Sequence, residues 1–445
     1  MASDLLSIAA SGARAARGAL DVTAQNIANA SSEGYVRRSV TIEEVAAAGG
    51  YMRANDISLS GSRVSGVSRN ADMFRQAEVR RTNSDIKRSD AELAGLQNLE
   101  AAVDQSGIYD SIVAFEGALQ QLSGDPVDPS LRAAVMGAAD AMANKFQIAD
   151  SSITSAVAGM QFEAQGAVDQ ANVVTSELAR VNLQLVRAGP NSSDRASLLD
   201  RRDALLEKLS GITDINTTFG SDGGVTVRAG GAGGPVLVSG INSAPLAMSI
   251  AADGTASFTA GGTAFTPAGG SLAGNALGLS EAASLRGRLD AVANSLISTL
   301  NAAQANGAAL DGSGGQPLFA GTGANGIHLA FTNPAGLATA PAGSPAGSRD
   351  SSNLDALRVG LASNGPAEDT NALLFDISSK VSSRKLTNEA LETIASSARI
   401  SLQEQSGVDL DSEAANLIRF QQAFQASGRA MQVATELFDT LIAIG

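Results

Sequence analysis

Between Met142 and Leu185 the apolar positions recur every three or four residues without a miss: Met142, Phe146, Ala149, Ile153, Val157, Met160, Ala164, Ala167, Ala171, Val174, Leu178, Val181 and Leu185. That repeat keeps one face of an α-helix apolar along its whole length and fits no strand. A helix from about Ser130 to Arg187 is roughly 85 Å long at 1.5 Å per residue. Asp128-Pro129 precedes it and Gly189-Pro190 ends it, the punctuation expected at helix boundaries. No compact globule needs such a rod, so the spacing predicts an elongated molecule. The rod's own stripe reads as an ordinary intramolecular core.

The two chain ends carry the same periodicity. Leu5, Ile8, Gly12, Ala15, Ala19 and Val22 form one line, and Leu6, Ala9, Ala13, Ala16, Leu20 and Ile27 a second beside it. In the last forty residues Leu410, Ala414, Leu417, Gln421, Phe424, Gly428, Met431, Thr435, Phe438 and Ile442 keep the spacing of a coiled-coil seam, with Ile418, Val433, Leu437, Leu441 and Ile444 alongside. Small residues at Gly12, Ala13, Ala16, Gly428 and Ala430 permit close helix approach. Two stripes on each end are more than one helix pair needs, so apolar surface is left for other copies or partners. A membrane-surface helix would have a basic polar face; these faces are mixed or acidic, which favours helix–helix assembly.

Between the ends the chain reads as nested. The first helix spans residues 3 to about 29, with Ser3 and Asp4 suited to its start, and stops at Ser31-Ser32-Glu33-Gly34. Tyr35 to Val45 is extended, and Ser58 to Ser68 is an irregular or β-like passage. Helices are expected over about 70–104, 110–122 and 194–209, the second ended by Gly124-Asp125-Pro126. From Gly211 to about residue 284 the composition shifts to Gly, Thr, Val and Ser. Alternating runs such as Val225-Thr-Val227 and Val236-Leu-Val238, and Asp253-Gly254 between two such runs, mark hairpins. Helix returns over about 281–305. Residues 308 to 366 read as Gly/Pro-rich loops with one hairpin near 327–340, followed by helices at about 369–379 and 388–405.

The expected fold is therefore mainly α with an inserted β domain. Residues 1–34 and 406–445 form a terminal coiled-coil unit, 35–210 and 285–405 an elongated helical-rod middle domain, and 211–284 a small antiparallel β domain at the far tip.

Composition excludes much chemistry. Cysteine and tryptophan are absent and histidine occurs once, so there is no disulfide framework, thiolate nucleophile or Cys-based zinc site. A formal net charge of −14 argues against binding a phosphate backbone. No apolar run approaches a membrane span, so no membrane insertion is expected. Met1-Ala-Ser-Asp lacks the basic and apolar segments of an ordinary secretory signal, so any export would follow another route. Gly321-Thr-Gly323-Ala-Asn-Gly326 matches G-x-G-x-x-G but precedes Ile327-His-Leu329-Ala-Phe331, a strand pattern rather than a helix; a flexible loop is the better reading. His328 has no nucleophile elbow nearby. Asp409, Asp411 and Glu413 sit where a helix begins, and dipole-favoured capping explains them better than a metal site. No catalytic, cofactor-binding or metal-binding residue is expected.

Longer motifs add specificity. Ala19-Leu-Asp-Val-Thr-Ala-Gln-Asn26-Ile27-Ala-Asn29-Ala-Ser-Ser-Glu-Gly34-Tyr35-Val-Arg37 resembles the N-terminal signature of the bacterial flagellar rod, hook and hook-associated axial proteins, with Ser32 in place of the usual Thr. Ser406-Gly407-Val408-Asp-Leu410-Asp-Ser-Glu413-Ala-Ala-Asn416-Leu417, continuing to Leu437-Phe438-Asp-Thr-Leu441, resembles the members that join hook to filament. Leu122-Ser-Gly-Asp-Pro126-Val-Asp128 and Leu198-Leu-Asp200-Arg-Arg-Asp203-Ala-Leu-Leu206 extend the similarity. The segment before Ser406 is shortened against the family and the β insertion is compact.

The resemblance implies a non-enzymatic structural subunit of the extracellular flagellum, exported by the flagellar type III route. Its implied partners are copies of itself in a helical layer, hook protein, the next hook-associated protein on the filament side, and an export chaperone at the C-terminal region. The expected assembly interface comprises Leu5, Ile8, Ala15, Val22, Asn26, Ile27, Asn29, Leu410, Asn416, Leu417, Phe424, Met431, Phe438 and Leu441, with Asn26, Asn29 and Asn416 as polar contacts that fix helix register. A hook or distal rod subunit, and an axial scaffold carrying a hydrolase, are the competing readings.

Overall fold

The computed structural model describes residues 2–32, 34–44 and 61–444, with side chains left undescribed at 2–4, 364 and 441–444. The first helix, α1 (Ala2–Ala28), ends before the expected stop. Gly34 does take the left-handed conformation, at φ 76°, but several residues past the helix end. Strands β1 (Arg38–Glu44) and β2 (Ser62–Arg69) then pair antiparallel from Arg38↔Arg69 to Glu44↔Ser62. The expected extension of these passages to Val45 and back to Ser58 lies outside the described residues.

Four long helices build the rod. Helix α2 (Met73–Asp104) starts at Asp72, whose carboxylate accepts the amides of Phe74 and Arg75. Helix α3 (Ile108–Gly124) turns back, and α4 (Pro129–Arg187) is one unbroken helix of 59 residues, about 88 Å long. Asp128 caps it through the amides of Ser130 at 2.7 Å and Leu131 at 3.0 Å, with Pro129 in the first turn where its missing N–H costs nothing. Every position of the predicted apolar line on α4 is buried except Val157 and Ala167, which are half-buried. Helix α5 (Ser193–Ile212) follows.

The β region forms two sheets. Strands β3 (Ile215–Phe219), β4 (Val225–Ala229), β5 (Val236–Ser239) and β6 (Asn242–Ser243) lie in sequential order. Strands β7 (Leu246–Ile250), β8 (Ala256–Ala260) and β9 (Thr263–Phe265) form the second sheet, with Asp253-Gly254 at the β7–β8 turn and Gly254 at φ 88°. Two asparagines of α4 pin both sheets to its second half. Asn172 exchanges hydrogen bonds with the backbone of Leu246, and Asn182 bonds both backbone groups of Val225 and the Gly240 carbonyl. The sheets thus sit on the flank of the rod rather than at its far tip, where the sequence placed them.

Helix α6 (Gly270–Ala305) begins well before the expected residue 281. Its first turns, Gly270-Ser-Leu-Ala-Gly274-Asn-Ala-Leu-Gly278, read as loop because of their glycines, yet those glycines allow close packing. A Cβ on Gly274 would run into the Arg88 carbonyl of α2, and Met160 of α4 fills the notch between Gly95 and Gly278.

The far end is a cap of short elements: β10 (Gly307–Ala308), β11 (Phe319–Ala320), α7 (Gly323–Gly326), β12 (His328–Leu329), a 3-10 turn at Pro334–Gly336, β13 (Ala340–Pro341) and α8 (Ser352–Asn364). In place of a hairpin near 327–340, β11 pairs with β12 and β10 with β13. Buried Arg132, in the first turn of α4, ties the cap down through the carbonyls of Pro126 at 2.6 Å and Leu337 at 2.7 Å and the Thr339 hydroxyl at 2.8 Å.

Beyond Gly365, at φ 55°, α9 (Pro366–Ser406) runs back along the rod as one helix where two were expected. Its buried apolar residues, Leu373, Ile377 and Val381, lie in its first half. Beyond Val381 the helix is held by polar contacts instead, Arg384 to Glu92 at 2.6 Å, Asn388 to Asp90 at 2.8 Å and Arg399 to Glu207 at 3.0 Å. After the corner at Gly407, α10 (Leu410–Ile444) ends the chain.

Candidate assembly interface at the paired termini

Helices α1 and α10 make the most extensive helix–helix packing among the described residues. The approach is close at Gly12, where a Cβ would stand 3.0 Å from Ser427 Oγ; Gly428, expected at such a contact, faces nothing within 4 Å. On α1 the pairing and the β1–β2 hairpin bury Ala9, Ala13, Ala15, Ala16, Ala19 and Val22.

A polar latch closes the base of the pair. Asn26, 1% exposed, accepts from the Tyr35 hydroxyl at 2.9 Å and the Arg38 amide at 3.0 Å. Its Nδ2 donates to the Arg38 carbonyl at 2.8 Å and to Glu413 Oε2 at 3.1 Å. Glu413, also 1% exposed, receives the Arg37 guanidinium at 2.7 Å on its other oxygen. The Arg37 amide bonds the Ser406 carbonyl at 2.9 Å, so the same strand end holds the corner between α9 and α10. Burial raises the Tyr35 hydroxyl above its usual pKa, with Arg38 pulling the other way. Asn26 is thus a buried polar contact within the chain between α1, the start of β1 and α10, and Glu413 corrects its own assignment: it is a buried partner across the terminal pair rather than a dipole-favoured cap. Asp409 is the cap, accepting from the Asp411 amide at 3.0 Å and the Ser412 hydroxyl at 2.8 Å. A basic residue ending the N-terminal motif and an acidic one inside the C-terminal motif were the available signal for the Arg37–Glu413 pair.

A second cluster fixes the hairpin to the rod. Arg38 reaches Asp200 at 2.9 Å, Arg69 reaches Asp200 and Asp203 at 2.8 Å each, and Arg202 reaches Asp203 at 2.6 Å. Burial pushes the Asp200 carboxyl up, against the lowering pull of Arg69 and Arg38. This explains why Asp200 and Asp203 belong to a motif: together they clamp the terminal unit to α5.

The remaining expected interface residues divide clearly. Ala15, Val22 and Asn26 are buried within the chain, while Ile8, Ile27, Asn416, Leu417 and Met431 are half-buried. Among the described residues Asn29 bonds only locally, to the Gln25 carbonyl and Ser32, and bridges no helices. Leu5 and Leu410 are exposed, as are Phe424 and Phe438; the side chain of Leu441 lies outside the described residues. Along α10 only Glu413 and Ala434 are buried among the described side chains, whereas Leu410, Ile418, Phe424, Val433, Leu437 and Phe438 are between 42% and 55% exposed.

The motif at Gly321 is a packed turn rather than a flexible loop. Asn294 and Asp290 of α6 already accept the Gly323 and Ala324 amides at 2.8 Å, the groups a phosphate would need. His328 is exposed, its Nδ1 bonded to the Gly326 carbonyl at 2.8 Å. No helix among the described residues is long and apolar enough to cross a membrane.

Comparison with known proteins bears on this geometry. A family model described as the flagellar hook-associated protein FlgK helical domain matches residues 93–319. Models of the flagella basal body rod protein and of the flagellar basal body rod FlgEFG protein C-terminal region match 6–35 and 401–444, the two halves of the terminal pair. Flagellar hook-associated protein 1 of Bacillus subtilis is 25% identical, the match covering 96% of this chain and 95% of that protein. Its Salmonella typhimurium counterpart is 29% identical over 55% of this chain, which spans 44% of the relative. A solved structure of the flagellar hook junction protein FlgK from Burkholderia pseudomallei matches 54% of this chain at 25% identity with a TM-score of 0.49. The helical-domain match covers just over half of the sequence: the chain belongs to the flagellar hook-associated protein FlgK family.

Proposed function

We propose that the chain is a structural subunit of the flagellar axis at the hook–filament junction, incorporated through its paired terminal helices. The observation that carries this reading is the exposure of large apolar residues on both lines of α10, Phe424 and Phe438 on one and Ile418, Val433 and Leu437 on the other, which pairing with α1 leaves uncovered. So many large apolar side chains left exposed on one helix mark an interaction site. Residues 1–34 and 406–445 act as the assembly unit, and the rod of α2, α4, α6 and α9 gives each subunit its length and stiffness. Copies of the chain in one layer, hook protein below and the next hook-associated protein above are the partners, with an export chaperone on the C-terminal region beforehand. Export follows the flagellar type III route, and the role is mechanical rather than catalytic.

Replacing Leu417 and Phe424 together with Asp tests the reading. The rod of the free monomer stays folded, read by far-UV circular dichroism, while labelled protein disappears from isolated hook–filament structures. Normal incorporation of this double variant would sink the proposed interface.

A further inference from the structure

Helices α2 and α6 pack against each other, and each packs against both α4 and α9. Met160 of α4 seats between Gly95 and Gly278 on one side of that pair, while Lys380 and Arg384 of α9 reach Glu281 and Glu92 on the other. The rod therefore has α4 on one flank and α9 on the opposite one, both running from the cap toward the base. Each flank carries large apolar side chains turned away from the core. On α4, Ile148 and Phe162 stand about four turns apart on one outward line, and on α9 Phe375 and Leu386 stand about three turns apart on another. Phe162 is 81% exposed and Phe375 74%, well above the exposed apolar residues of α10. A solvated helix face is ordinarily charged. Here the outward positions between the large residues are small and uncharged, Ser151, Ser155 and Gly159 on α4 and Ser379 and Ser382 on α9, and a Cβ on Gly159 would meet nothing within 4 Å.

We propose that α4 of one copy of the chain docks along α9 of the next, with Phe162 entering the serine-lined gap between Phe375 and Leu386 of the neighbouring copy. The proposal rests on the assembly reading above and adds to it a lateral contact within a layer, separate from the load passed between layers at the terminal helices. The two flanks themselves identify the occupant. Apolar faces on opposite sides of one rigid rod can meet only between molecules, and such a head-to-tail contact repeats into rings or open helices, as an axial layer requires. Both faces stand at nearly the same height, because Met160 and the Lys380–Arg384 stretch grip neighbouring turns of α2 and α6. A copy set beside the first at that height, with Phe375 about two turns beyond Ile148, brings the large residues into alternation along the seam. Ile148, Phe375, Phe162 and Leu386 then follow one another at intervals of about one or two turns, each against small residues of the facing helix. Neither line brings a charge out of water on docking, so no desolvation cost opposes the contact.

The chain has no cysteine, so the full-length variant Ser155→Cys/Ser379→Cys carries only two thiols, on opposite flanks, and leaves all four large apolar residues in place. Isolated hook–filament structures bearing it are treated with a short bismaleimide and the product is read by immunoblot. The expected result is a ladder of dimers and longer multimers of this chain, with no product from the free monomer and none from either single variant. A single variant that dimerises would mean that like faces meet, an adduct with a different protein would mean another occupant, and an incorporated double variant without a ladder would mean that the flanks do not touch; each overturns the proposal. Phe162→Asp gives an independent measurement. Its monomer should melt close to the parent chain, since the ring is exposed, while incorporation falls at least about tenfold, as for loss of an aromatic anchor at the centre of a contact. Incorporation at the parent level overturns the proposal even if the cysteine variant is not assembled. The Leu417→Asp/Phe424→Asp variant keeps the two readings apart: if it is excluded while no ladder forms, the terminal helices still assemble the chain and only the lateral contact is lost.

Discussion

Glu413 carries a charge into a place from which water is almost excluded, and the two groups that compensate it come from the opposite end of the chain. Removing it takes one of two acceptors from Asn26 Nδ2 and leaves the Arg37 guanidinium without its carboxylate. Because Arg37 keeps 31% of its side-chain surface in solvent, the cost falls below that of breaking a fully buried pair and is about 2 kcal/mol. Glu413→Ala is therefore expected to raise amide hydrogen exchange along α10 while exchange in α4 stays unchanged; equal loosening of both helices would contradict the latch. Asp409, at the other side of the same turn, gives a pH dependence. The Ser412 hydroxyl, followed by the Asp411 and Ser412 amides, holds its carboxyl below the usual aspartate range. A depressed folded-state pKa stabilises α10 above the unfolded value, and that contribution is lost as the pH falls through the folded one. Acid titration of helicity near residue 410 should show this loss. Asp409→Asn keeps an acceptor at the cap and should abolish the pH dependence.

The elements differ in how much of themselves they disclose to a reader of the sequence. Helix α4 was legible because its apolar line never breaks and proline marks both of its ends. The start of α6 was hidden because Gly274 and Gly278 serve close packing rather than chain reversal. Helix α8 lay hidden in a Gly- and Pro-rich neighbourhood, and the continuity of α9 was hidden because the part beyond Val381 is attached by polar contacts and leaves no buried apolar line. The terminal pair was legible from its stripes. Glu413 was not, since an acidic residue in the first turn of a helix already has an electrostatic explanation. Two predictions belong to this scale. Phe146→Ala removes a fully buried ring from the α4 core and should cost about 3–5 kcal/mol, read as a lowered melting temperature of the monomer. Gly274→Ala forces a methyl group against the Arg88 carbonyl and the Glu92 amide. Backbone cannot yield there as a side chain can, so about 1–3 kcal/mol should be lost.

Across the whole molecule, both chain ends gather at one extremity of the rod, and the sheets sit on its side with their entry and exit adjoining. A Cβ on Gly270, where the β region returns to helix, would collide with the backbone of Ile212, where it leaves. Additional polypeptide in this region need not disturb the helices. Inserting a fluorescent protein at the β5–β6 turn, beside exposed Ile241 and left-handed Gly240, should leave melting and incorporation unchanged; loss of labelled junctions under the microscope would show that this side is itself an interface. The gathering of the ends has a mechanical corollary. Under the proposed assembly, tension or torque handed from one layer to the next enters and leaves each subunit at the α1–α10 base, and the distant half of the rod is off the load path. Its length and ornament are then free to vary without severing the transmission.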